Sequence, residues 1–215
     1  MKNVLLLVLI FTVSLLSAQD KSAKDYKIEG AEAYKAKDYQ KGLTSFEKSI
    51  QMYEADGKVD TSLYYNAAIC ALKVKDYDKS LQYFNRSITL DYKPCKSQLY
   101  KANAYKKKKD YVTMETECNN GITSCPKYKS KFNDLLFGYY LKSGLDIFNS
   151  AAKMQADVTP LASTDPDKYV SEMEKVKAEF NKSIPMLEKA NLINPEDQNC
   201  TKALNQAKKI VSTEI

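Results

Sequence analysis

The stretch Ala67-Ala68-Ile69-Cys70-Ala71-Leu72-Lys73-Val74-Lys75-Asp76-Tyr77-Asp78-Lys79-Ser80-Leu81-Gln82-Tyr83-Phe84 decides the fold. Before the Asp76-Tyr77 pair stands a helical segment with a small residue, Ala68, and lysines at its end. After the pair, Leu81, Phe84 and Ile88 recur at steps of three and four, which is one face of a second helix. The stretch therefore predicts a helix, a tight turn and a second helix.

The same arrangement occurs on either side. Asp38-Tyr39 and Asp110-Tyr111 repeat the pair, at spacings of 38 and 34 residues. Each follows a lysine-ended segment, Tyr34-Lys35-Ala36-Lys37 or Lys106 to Lys109. Each precedes an apolar face, Leu43, Phe46 and Ile50 or Met114, Cys118 and Ile122. Small residues stand where paired helices would touch: Gly30, Ala68 and Ala102 in the first helices, and Gly42, Ser49, Ser80, Ser87 and Gly121 in the second. Pro126 ends the third copy, and Pro94 lies just beyond the corresponding place in the second.

On these residues the chain resembles the tetratricopeptide repeat family. The resemblance covers about 24–212 and implies an all-α, right-handed superhelix of about four helical hairpins with a capping helix. The units are expected at 24–56, 61–93, 95–127 and 128–195. In the fourth, the first helix is expected over Tyr128 to Ala152 with Gly138 at the small contact position. Its second helix contains Phe180 to Ala190, and Pro185 should kink it. A split of 128–156 at Gly144 is the alternative, but the apolar face runs on through Leu141, Leu145 and Phe148. Residues 154–168, with Pro160 and Pro166, read as an inserted loop. Residues 196–215 should supply the cap that a repeat array needs at its end.

Residues 1–18 read as a secretory signal. Lys2 supplies the positive charge, Val4 to Leu16 form a 13-residue apolar run, and Ser17-Ala18 are small. That run is shorter than the roughly 20 residues of a spanning helix. The expected location is a periplasm or the cell exterior, without stable membrane insertion after cleavage.

Composition narrows the function. Apolar residues make up 44% and charged residues 28%, so a core can form. Histidine is absent, which removes Ser-His-Asp triads and His-ligated metals. The six glycines are isolated and form no phosphate-binding loop. No catalytic residues, cofactor or metal are expected. The net charge of +6 is spread along the chain, and Lys106 to Lys109 fit a solvated helix end better than a nucleic-acid patch.

The resemblance places the first helix of each hairpin on the inner face of a curved array. The lining it implies is Lys24, Lys27 and Tyr34, then Tyr65 and Asn66, then Lys96, Tyr100, Asn103 and Lys106. Ala31, Ser62, Ile69, Leu72 and Leu99 complete it. Cations, amides and aromatic rings together suit an extended or helical peptide of acidic character. One class within the family clamps a terminal carboxylate with five residues. Lys27, Asn66 and Lys96 match that pattern, whereas Ala31 and Tyr100 depart from it, so the clamp is not expected here. The function implied is a non-catalytic, secreted scaffold with a protein or peptide partner. The alternative is a structural subunit of an envelope or secretion assembly, docking by its convex face or through 154–168.

Five cysteines follow the signal, an odd number. Cys70 and Cys118 lie on apolar faces as small core residues. Cys95 opens one helix of unit three and Cys125 ends the next. An antiparallel hairpin brings those ends together, so a Cys95–Cys125 bond and free thiols are both compatible with the sequence.

Overall fold

The computed structural model describes residues 21–215, and the signal segment expected at 1–18 lies outside the described residues. Among the described residues all regular structure is helical. Three hairpins come first: α1 (Ala23–Lys35) with α2 (Tyr39–Ala55), α3 (Thr61–Lys73) with α4 (Tyr77–Thr89), and α5 (Pro94–Lys108) with α6 (Tyr111–Ser124). Then come α7 (Lys129–Val158), the single turn α8 (Leu161–Thr164), α9 (Pro166–Ile193) and α10 (Gln198–Ser212). Consecutive helices pack on one another along the chain, so the molecule is an array of stacked hairpins.

The repeated Lys-Asp-Tyr turn is built the same way three times. Lys37, Lys75 and Lys109 adopt left-handed backbone, with φ of 62°, 67° and 63°. The next amide, on Asp38, Asp76 or Asp110, donates back to the carbonyl of Ala33, Ala71 or Tyr105 at 2.9–3.0 Å. That six-to-one bond closes the first helix. The aspartate side chain then accepts from the amide of Lys41, Lys79 or Thr113 at 3.1–3.2 Å and caps the second helix. One dipeptide thus ends one helix and starts the next within two residues.

Large side chains fill the seams beside small ones. Phe46, Phe84, Phe132 and Phe180 are all buried. Each contributes on the order of 1.5–3 kcal/mol by leaving water. Gly30 lies against the ring of Phe46, Gly42 against Cys70 Sγ, and Gly121 against the ring of Phe132. The Ser80 hydroxyl donates to the Ala68 carbonyl at 3.0 Å, which satisfies a buried polar group inside the α3–α4 contact.

The fourth hairpin departs from expectation in two ways. First, 154–168 is not an inserted loop. α7 runs on to Val158, α8 takes up Leu161–Thr164, and α9 already begins at Pro166. Pro160 is the N-cap of α8 and Pro166 the first residue of α9, places where a missing amide donor costs nothing. Asp165 caps α9 by accepting from the Lys168 amide at 3.2 Å. Second, the close contact falls at Gly144 and not at Gly138. A Cβ on Gly144 would meet Leu187 at 2.8 Å, whereas one on Gly138 would meet only Lys106 Nζ at 3.9 Å. The helix is nonetheless single, and Phe148 packs edge-on against Phe180 at 5.2 Å. α9 continues through Pro185, which is exposed. α10 closes the end by burying Cys200, Ala203, Leu204 and Ala207 against α9 and α7.

Candidate functional site

Helices α1, α3 and α5, the first of each hairpin, contribute side chains to one shared surface. Their tyrosines converge from separate hairpins. Tyr65 of α3 packs edge-on against Tyr92 at 5.9 Å and Tyr100 of α5 at 6.3 Å, and Tyr100 stacks on Phe84 at 5.7 Å. Burial, together with the nearby hydroxyls of Tyr100 and Tyr34, holds the Tyr65 phenol far above its ordinary range. Tyr34 reaches the same surface from α1 and is 42% exposed, so its ring is open to a ligand.

Beside this cluster lies a concavity of about 370 Å³. Tyr34, Ile69, Leu72 and Tyr100 give it an apolar wall, and Asn103 adds an amide. Lys73, Lys75 and Lys107 line it as well, with Tyr77. No carboxylate is among its lining residues. Among the described residues, none of these three lysines is in an ion pair.

The sequence-derived lining divides into three groups. Tyr34, Tyr100 and Asn103 come together at the concavity, with Ile69 and Leu72. Tyr65 is 6% exposed and forms the floor between hairpins more than a contact surface. Lys96 Nζ lies 5.8 Å from the Tyr65 ring centre, and Lys93 Nζ, which spacing did not single out, lies 4.8 Å from it. Asn66 is half-buried on the same helix as Tyr65.

Lys27, Lys24 and Lys106 depart from expectation. Lys27 is tied to Asp60 across the α1–α3 seam. Burial would raise the Asp60 carboxyl, but hydrogen bonds from Lys27 and Ser62 outweigh it and hold the group below its ordinary value. Lys27 is thus a strut between hairpins, not an unoccupied cation. Lys24 is exposed at the start of α1, away from the concavity. The Lys106 ammonium lies towards α7 at Gly138.

Lys73, Lys75, Tyr77 and Lys107 were not expected at the site. They sit at the turn and at helix ends, outside the first-helix faces that line the expected groove. The signal was present in the lysines preceding each Asp-Tyr pair.

A larger concavity of about 540 Å³ lies between α2 and α4. Several of its polar groups, Glu47, Glu54, Tyr64 and Tyr83, are already paired. Tyr64 donates to Glu54 at 2.5 Å, Tyr83 and Lys79 donate to Glu47 at 3.0 and 2.8 Å, and Arg86 lies over the Tyr64 ring. That network needs no ligand to complete it.

Cys95 and Cys125, 30 positions apart in the sequence, are joined by a disulfide with Cα atoms 5.5 Å apart. The bond fastens the start of α5 to the end of α6. Cys70, Cys118 and Cys200 are buried free thiols, and burial pushes Cys70 and Cys118 up to about 12. They are core residues without nucleophilic character. Among the described residues no cluster of three candidate metal ligands occurs, and no helix is long and apolar enough to cross a membrane.

The fold defines a class: an all-α array of stacked helical hairpins. No family model matches the sequence, and no curated protein matches it. Solved structures do resemble it. A TPR repeats protein from Bacteroides fragilis is 21% identical, with 88% of this chain and 99% of that one covered at a TM-score of 0.44. The TPR2AB domain of yeast Sti1, solved in a complex with pHSP90, is 15% identical, with coverages of 88% and 84% and a TM-score of 0.46. YrrB, described as a TPR protein with an unusual peptide-binding site, is 11% identical, with coverages of 86% and 92% and a TM-score of 0.45.

Proposed function

We propose that the protein is an exported, non-catalytic scaffold that holds a polypeptide segment of acidic character along its inner face. The observation that carries this reading is the concavity shared by Tyr34, Tyr100 and Asn103, with three unpaired lysines around it. Rings with polar tips give contact area at low entropic cost, and an amide can hold an extended backbone. Lysine cations favour carboxylates over neutral partners. Nucleic acid fits less well, because the Lys106 to Lys109 run does not form one face. Lys107 lines the concavity, Lys108 pairs with Asp78, and Lys109 occupies the left-handed turn.

Export is supported by the apolar run at 4–16 and by the Cys95–Cys125 bond, since such bonds persist in oxidising compartments. The absence of catalysis is supported by the lack of histidine and by the high thiol pKa values of the buried cysteines. The alternative, docking by the convex face or through 154–168, would use a segment that is mostly helix and not a loop.

Selection of short peptides from a random display library on the full mature chain tests the reading. Selected peptides should lose binding to Tyr100→Ala and Asn103→Ala variants. Recovery of peptides indifferent to both changes would overturn it.

A further inference from the structure

The geometry points to an anchoring subsite within the groove: the concavity lined by Lys73, Lys75 and Lys107 takes one bulky apolar side chain of the partner, flanked by side-chain carboxylates. This rests on the peptide reading above and specifies its chemistry.

Size comes first. At about 370 Å³ the concavity is at the small end of ligand pockets, which run from about 300 to 1,000 Å³. It suits an anchoring side chain and its neighbours more than a whole cofactor. Its apolar wall is Ile69 and Leu72 from α3, with the rings of Tyr34 and Tyr100 on either side. Tyr100 is held in place by its stack on Phe84, so that wall is preformed. Preformed walls reduce the ordering cost of binding.

Charge comes second. Three lysines, Lys73, Lys75 and Lys107, line this one concavity without a carboxylate, the Lys73 ammonium lying over the Tyr39 ring at 5.8 Å. Some lysines elsewhere in the molecule have acidic partners, as Lys27 has Asp60, Lys79 has Glu47, Lys101 has Glu117, and Lys108 has Asp78. Helices α3 and α5 end here, at Lys73 and Lys108. Each helix C-terminus carries about half a negative charge. Two such ends offset about one of the three lysine charges and leave a net excess of about two. Two carboxylates beside the anchor would match it.

The turn fixes the backbone from which one of these lysines projects. Lys75 is the left-handed residue of the α3–α4 turn, and its amide donates to the Leu72 carbonyl at 3.3 Å. The same hydrogen-bonded turn therefore carries Leu72 of the wall and Lys75 of the rim. Apolar wall and cationic rim therefore start from one backbone turn, from which the exposed Lys75 side chain can reach a carboxylate on its flexible stem.

The test uses a doubly capped pentapeptide with one Phe between two pairs of Glu, so that no terminal carboxylate contributes. Two further probes replace Phe by Ala or every Glu by Gln. Binding to the full mature chain is measured by calorimetry at low and high salt. The Phe/Glu peptide should bind, and each replacement should weaken it at least about tenfold. Raising salt from about 50 to about 300 mM should weaken it severalfold, as the Debye length shortens. The Lys73→Glu/Lys75→Glu/Lys107→Glu variant should lose binding. A control with Lys142→Glu, Lys175→Glu and Lys202→Glu should keep it, and circular dichroism should show both variants folded. Equal binding by the Glu and Gln peptides, or retention by the first variant, would overturn the subsite. If display-selected peptides still need Tyr100 while this probe fails, the subsite is wrong and the groove stands. If neither engages the inner face, both fail.

Discussion

Gly144 of α7 lies against Leu187 of α9 so closely that a Cβ would sit 2.8 Å from Leu187 Cγ and Cδ2 and 3.2 Å from its backbone nitrogen. The side chain could rotate away, but the backbone cannot without moving α9. Gly144→Ala should therefore destabilise the chain by about 1–2 kcal/mol, the overpacking cost exceeding the gain in helix propensity. Gly138 sits on the same helix with open space around it. Gly138→Ala should stabilise by about 0.5–1 kcal/mol. Urea unfolding of the two variants should show midpoints shifted in opposite directions.

Lys37 occupies a left-handed turn at φ 62°, and its side chain is exposed. A residue with a Cβ bears about 1–2 kcal/mol of strain there, part of which glycine avoids. Lys37→Gly should raise stability by about 0.5–1 kcal/mol after the entropy of the unfolded glycine is set against it. Lys37→Val should lower stability, because a β-branched chain crowds the same turn further. Thermal melts followed at 222 nm distinguish the two signs.

What was legible in the sequence follows from how locally each feature is encoded. The Asp-Tyr turns carry both the helix stop and the helix start, so Asp38, Asp76 and Asp110 announced the hairpins directly. The 154–168 segment misled because Pro160 and Pro166 look like breakers, whereas a proline in a first turn is compatible with a helix. Gly138 and Gly144 could not be ranked, since the difference lies in where α9 passes, and only the register of α9 on α7 decides that. At the site, Tyr34, Tyr100 and Asn103 followed from helix position. Lys27 did not, because its partner Asp60 is 33 residues away and caps another helix. Lys73, Lys75 and Lys107 escaped because turn and helix-end residues were read for their structural role alone.

Glu115 of α6 accepts from Lys189 of α9 at 2.8 Å, joining the third hairpin to the fourth. Burial would raise its carboxyl above the ordinary 4.5, but hydrogen bonds from Lys189 and Tyr140 outweigh burial and lower it. A carboxyl depressed in the folded state stabilises above its unfolded value. That contribution fades as pH falls through the lower folded value. Glu115→Gln should therefore cost stability at pH 7 and little at pH 3. Both partners are partly exposed, so the loss at pH 7 should stay below about 1 kcal/mol. Denaturation midpoints of wild type and variant should converge on acidification. A constant difference across that range would show that the pair contributes through packing alone.

The Cys95–Cys125 bond closes a loop over α5 and α6, the hairpin that supplies Tyr100, Asn103 and Lys107. Loop-closure entropy for a separation of 30 residues gives a stabilisation of roughly 3–4 kcal/mol. Cys95→Ser/Cys125→Ser should lower the unfolding free energy by about that amount. The loss should appear first as fraying of α5 and α6, because a repeat array couples only neighbouring units. Hydrogen exchange should therefore rise in 94–124 before it rises in 39–89. The remaining thiols give an independent check. Cys70 and Cys118 are fully buried with pKa pushed to about 12, so native protein at pH 8 should resist iodoacetamide at both. In the double-serine variant Cys118 of α6 should label well before Cys70 of α3. Simultaneous labelling of the two would show that the array opens as one unit and that the bond guards no single hairpin.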